Sequence, residues 1–162
     1  MLTKISTSNL RPATGFTLIE LMITLSILVI LLTVATPSMR EFVQSQRVKT
    51  ASFDLFAAIT YTRSEALKRN GDVTLSAASG GWINGWSISA GSATLRTQAS
   101  LDSSVAITSS ATTLTYGRDG RTNGTGATTL QLAPSPSVTW ITPRCITIDL
   151  SGRPNSKKGT CA

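Results

Sequence analysis

A carboxylate inside an apolar stretch is the first side chain in this sequence that demands a chemical explanation. From Phe16 to Thr36 the chain reads FTLIELMITLSILVILLTVAT, 21 residues in which Glu20 is the sole charge. A carboxylate at the centre of a membrane helix costs roughly 2.5 to 3.5 kcal/mol, and less near the interface. Glu20 therefore needs a route to water or a counter-charge, and two accounts are open. Its side chain can snorkel to the headgroups from the first helical turn. Alternatively, a cut between Gly15 and Phe16 would create an α-amino group four residues before Glu20. A neighbouring subunit's amine could then neutralise the carboxylate during assembly.

The other reactive types lie late in the chain. Cys145 and Cys161 are far from any C-x-x-C spacing, and in an oxidising compartment they read as one disulfide. Such a bond closes a loop of about 16 residues, worth ~3 kcal/mol in the chain-entropy account. The 162 residues include no histidine, which removes the commonest general base and metal ligand. The remaining Ser, Lys and Asp are scattered without a catalytic motif, so no reaction, cofactor or metal is expected. Against 8 acidic residues stand 15 basic ones, a net charge of +7, which suits an anionic partner such as nucleic acid or a membrane surface. Arg118 and Arg121 fall in one turn, while Arg144, Arg153, Lys157 and Lys158 surround the cysteine-closed loop, with no acid after Ser151. Exposed cations in Gly-rich turns suit phosphate, so double-stranded DNA is one candidate partner; a solvated basic loop at a contact between heads is the other account. Trp140 is the nearest aromatic. Binding would accordingly be led by phosphate and sensitive to salt, without base-specific readout.

These groups must be positioned by three kinds of segment. Residues 16–37 are about as long as a helix crossing a ~30 Å bilayer core, and Lys4 and Arg11 before them predict a cytoplasmic N-terminus and an exported remainder. Pro37 should bend or loosen the helix, or end it. Residues 38–70 lack Gly and Pro, and Val48, Ala51, Leu55, Ala58, Ile59, Thr62 and Ala66 draw one apolar helical stripe on which a head can pack. The charged residues of the other faces, Arg63 and Glu65 among them, read as a solvated or subunit-contacting surface. Asn70-Gly71 supplies the helix end. Residues 71–162 turn to Thr, Ser, Gly and β-branched residues, with short strands predicted near 73–76, 86–89, 94–97, 105–107, 112–116, 128–132 and 145–150. An Asn84-Gly85 hairpin turn is expected between Trp82 and Trp86. The fold class is α+β: a long N-terminal helix packed on a small antiparallel head.

The run Gly15-Phe16-Thr17-Leu18-Ile19-Glu20 ahead of an apolar helix resembles the class III signal of type IV prepilins and type II secretion pseudopilins. The resemblance implies a leader, residues 1–15, cleaved after Gly15 by a prepilin peptidase, and N-methylation of Phe16. It also implies a bundle of helices in an inner-membrane-derived pilus or pseudopilus filament, with Glu20 aiding docking and the head in the periplasm. Further on, TRSEALKRNGDVTL, GWINGW, TLTYGRDGRTNG and CITIDLSGRP look like the GspH/FimT group of minor pilins and pseudopilins, among them transformation pilins thought to bind DNA. In those DNA-binding members the tail carries Gly-Arg-x-Arg. Here Gly152-Arg153-Pro154-Asn155 keeps the first arginine, has Asn155 for the second, and is followed by Lys157 and Lys158. Asn brings no charge, and the lysines lack the bidentate geometry of arginine.

Overall fold

The structure, a computed structural model, describes residues 15–161, with the side chains of residues 34–38 left out of that description. The expected leader up to Ala13-Thr14 thus lies outside the described residues. One helix, α1, runs Leu18–Arg69. Its start is capped as the sequence allows: the Thr17 hydroxyl accepts the Glu20 amide proton at 3.2 Å, and the Thr17 carbonyl accepts that of Leu21 at 3.1 Å. The hydroxyls of Thr24, Ser26 and Thr33 turn back onto the carbonyls of Leu21, Met22 and Ile30, which satisfies them inside an otherwise apolar stretch. Among the described residues no helix is long and apolar enough to cross a membrane. The stretch with described side chains ends at Thr33, short of the ~20 residues a span needs. The expected span over 16–37 extends into residues 34–38, and the alternative that Pro37 ends the helix is corrected, since α1 continues through it to Arg69.

The described residues divide into two compact units, one ending at Ser38 and the other beginning at Met39. In the second, the stripe read from the sequence is the buried side of the helix. Val48, Ala51, Leu55, Ala58, Ile59, Thr62 and Ala66 are all covered, and Thr62 satisfies its hydroxyl on the Ala58 carbonyl at 2.7 Å. The helix stops where expected. Asn70 takes a left-handed φ of 52°, the Gly71 amide reaches the Ala66 carbonyl at 3.2 Å, and the Asn70 amide reaches that of Leu67 at 3.4 Å. This pair of bonds closes a helix end on a left-handed residue.

Eight strands follow, β1 (Val73–Ala77), β2 (Trp86–Ala90), β3 (Ala93–Gln98), β4 (Val105–Ser109), β5 (Thr113–Tyr116), β6 (Thr128–Pro134), β7 (Arg144–Ile148) and β8 (Pro154–Lys158). They form two four-stranded sheets, in the orders β3-β2-β1-β5 and β4-β6-β7-β8, with every pairing antiparallel. Leu75, Ile88 and Tyr116 from the first sheet meet Leu130, Leu132, Ile146 and Ile148 from the second in one core with the helix stripe. Each fully covered Leu or Ile contributes about 1.5 to 3 kcal/mol. The expected Asn84-Gly85 hairpin is instead a 3-10 turn, Trp82–Asn84, inside a longer connection between β1 and β2. Trp82 and Trp86 are core residues, and the Trp82 indole donates to the Ala111 carbonyl at 2.8 Å. Strand β8 was not legible in the sequence, since it opens on proline and carries lysines, a composition tolerated at a sheet edge.

Candidate functional site

At the N-terminal end, Gly15 and Phe16 precede the helix and Glu20 sits in its first turn, exposed. The Thr17 cap gives Glu20 a local role that sequence reasoning missed. A carboxylate three residues after a threonine cap lies beside unsatisfied amide donors and the positive end of the helix dipole. The signal was present as Thr17-x-x-Glu20.

In the head, two Gly-Arg turns are pressed together. In the first, the Gly117 amide reaches the Arg121 carbonyl at 2.9 Å and the Asp119 carboxylate accepts the Arg121 amide at 3.1 Å. In the second, the Gly152 amide reaches the Asp149 carbonyl at 2.9 Å, and the Asp149 carboxylate accepts the Arg153 amide at 2.9 Å and the Ser151 hydroxyl at 2.6 Å. Those donors, the Ser151 hydroxyl foremost, hold the Asp149 carboxyl below the usual carboxylate range. Thr122 donates to the Asp149 carbonyl at 3.4 Å across the two turns.

The brace between the turns comes from the helix. Arg63 donates to the Gly120 carbonyl at 3.0 Å and to the Ser151 carbonyl at 3.4 Å. This corrects the expectation that Arg63 lies on a solvated or subunit-contacting surface, because two carbonyls from separate turns converge on its guanidinium. Glu65, also expected on a solvated face, is only 7 % exposed and accepts from Arg69 at 2.7 Å and Lys68 at 3.5 Å. The Arg69 hydrogen bond, ahead of the attraction of Lys68, holds its carboxyl low against the opposing effect of burial. Beneath the turns Tyr116 donates its hydroxyl to the Gly152 carbonyl at 3.1 Å, and burial pushes its phenol up to about 12.

Arg118, Arg121 and Arg153 are therefore exposed on neighbouring turns. The remaining predicted cations are elsewhere. Across the β7–β8 ladder Arg144 lies opposite Lys158 and Cys145 opposite Lys157, whereas Ile148 and Pro154 pair at the end that leads into Arg153. Four residues of strand span ~13 Å, so Arg144 and Lys158 are parted from the arginine turns. Alternation also points Lys157 and Lys158 to opposite faces of the sheet. The single basic loop read from the sequence is thus at least two separate groups. Cys145 and Cys161 are bonded, S–S 2.04 Å, and the Cys161 amide donates to the Gln131 side chain at 2.9 Å. Among the described residues no group of His, Cys, Asp and Glu could hold a metal ion.

A family model described as type II transport protein GspH matches residues 51–152, and one described as a prokaryotic N-terminal methylation motif matches residues 10–36. The fold is similar to that of the type IV minor pilin FimU of Pseudomonas aeruginosa, at 21% identity. In one crystal form of FimU the TM-score is 0.62, covering 72% of this chain and 92% of that one. In a second form it is 0.59, covering 67% and 91%. The minor pseudopilin EpsH from the type 2 secretion system of Vibrio cholerae is also similar, at 12% identity and a TM-score of 0.55, covering 69% of this chain and 97% of that one. No curated protein matches the chain.

Proposed function

The chain belongs to the GspH family of type II transport proteins, and from that premise we propose that it is a minor subunit, cleaved after Gly15 by a prepilin peptidase, methylated on Phe16 and built into a type IV pilus or a type II secretion pseudopilus. Pilin and pseudopilin families are structural, membrane-anchored filament subunits. The observation that carries the reading is the methylation motif over residues 10–36 followed in the same chain by the GspH match over residues 51–152, with the helix Leu18–Arg69 running from one match into the other. In the proposed filament the helix from Phe16 anchors the subunit in the inner membrane before assembly, with the head in the periplasm. Glu20 then meets the new α-amino group of a neighbour, which supplies the counter-charge its position requires. The deciding experiment is processing in cells that carry a prepilin peptidase. A bulky residue at Gly15 should leave the chain at its full length on a gel while the parent shifts to the shorter form. Maturation of the Gly15→Val variant at the parental rate overturns the reading.

One specific observation favours a second, compatible reading. Two arginine-bearing turns lie side by side, so Arg118, Arg121 and Arg153 share one edge of the head. We infer that this edge meets the phosphates of double-stranded DNA without regard to sequence. Binding across a salt series, parent against Arg153→Gln, tests it.

A further inference from the structure

Along one side of the helix, Ser45, Lys49, Phe53 and Phe56 recur at steps of four, four and three, and β8, the outermost strand of its sheet, runs beside them. Two hollows follow this seam. One, of about 340 Å³, is lined by Phe53, Phe56, Pro154, Asn155 and Ser156. The other, of about 130 Å³, includes Lys49, Trp140, Arg144 and Lys158 in its lining. The Arg144 guanidinium lies over the Phe53 ring at 5.5 Å and joins the two. Phe53 and Trp140 are 65 % and 64 % exposed, so large aromatic surfaces flank an arginine, the composition of an interface hot spot.

We propose that this seam docks an extended, acidic segment of a partner protein, which adds as a strand along the outer side of β8 and seats one apolar side chain between Phe53 and Pro154. Charge selects the occupant. Neither hollow is lined by a carboxylate, while Lys49, Arg144 and Lys158 converge on one of them. A two-fold contact with a second copy of the same face would set those cations against themselves. A nucleic-acid backbone has the charge but no apolar side chain to fill the Phe53 hollow. The backbone of an edge strand, by contrast, is a ready template for another strand.

Geometry also sets the motif. Pro154, Ser156 and Lys158 alternate onto one face of β8, and Lys158 is paired with Arg144. The apolar hollow and the cations are two to four residues apart along the strand, ~7 to 13 Å. The partner segment should therefore carry Asp or Glu two or four positions from an aliphatic or aromatic residue.

The test uses the full chain in detergent micelles to select from a displayed library of random peptides. Enriched sequences should carry that spacing, and a synthetic copy should bind about ten-fold or more weakly to Phe53→Ala, Arg144→Glu and Lys158→Glu, with Arg118→Gln unchanged. Phe53 and Lys158 are exposed, so these two variants keep the fold even where Arg144→Glu does not, and thermal melts verify each. Failure to enrich any sequence, enrichment without acidic residues, or binding indifferent to both Phe53→Ala and Lys158→Glu overturns the proposal. So does duplex DNA bound in place of peptide and lost with Lys158→Glu. None of these outcomes bears on cleavage after Gly15.

Discussion

Gly152 carries more of the head than its motif suggests. Its φ is +78°, a region costly for any residue with a Cβ, and a Cβ there would run into the Gly120 carbonyl oxygen and stand 2.8 Å from Cε1 of Tyr116. Gly120 has a φ of +71° and its own Cβ would press on Leu67 and Arg63. Two glycines thus let two turns touch, and Arg63 and Tyr116 bind the contact from below. Gly152→Ala should destabilise the protein by more than ~1 kcal/mol, the scale for alanine forced to positive φ, with the steric clash added. Gly159→Ala, where φ is +113° but nothing stands within 4 Å of the added carbon, should cost less. Thermal or urea melts of the two variants give the comparison, and equal losses would remove the turn contact from the account. In the sequence the Gly-Arg turns were legible as turns and as sites of charge. Their mutual packing was not, because residues 120 and 152 meet only through the fold.

At the scale of elements, local pattern was enough for the helix, whose period agrees with its burial, and for seven of the strands, which turn residues bound even where, as in β3, the strand is largely exposed on both faces. Val48 to Ala66 form a stripe because the helix has two sheets to cover. Division into two sheets was hidden, as alternation within a strand does not name its neighbour. Strand β8 was hidden for a different reason: its place is fixed by tertiary bonds. It pairs along β7 from Arg144↔Lys158 to Ile148↔Pro154, its end is held by the Gly159 amide on the Pro143 carbonyl at 2.8 Å, and the Cys145–Cys161 bond clamps the tail beyond. Replacing both cysteines by serine should therefore cost roughly 3 kcal/mol of stability by loop entropy and expose β8 first. Added reductant should lower the melting temperature of the parent and leave the double variant unmoved. Protease should cut the variant near residues 154–158 before it cuts elsewhere in the head. Equal melting of parent and variant would mean that the ladder alone fixes the strand.

For the whole molecule, the question is how a net charge of +7 is laid out. Composition alone suits any anionic partner, but geometry separates Arg118, Arg121 and Arg153 from Arg144 and Lys158, and turns Lys157 away from Lys158. The arginine edge also includes carboxylates. Asp119 accepts the Arg121 amide, and Asp149 is kept ionised by the donors around it. An edge with three available cations supports few phosphate contacts, so binding of duplex DNA by the full chain should show a log–log salt slope of about −2.7, at roughly −0.9 per contact. Arg153→Gln should reduce that slope by about one, and Asp149→Asn should tighten binding by relieving repulsion of phosphate. A Lys157→Gln/Lys158→Gln variant should keep the parental slope, since those side chains lie on other surfaces. If instead the double lysine change flattens the slope while Arg153→Gln does not, DNA is held by the strand end rather than by the paired turns. The phosphate reading of the arginine edge then falls, and with it the argument that the two Gly-Arg turns are brought together for binding as well as for packing.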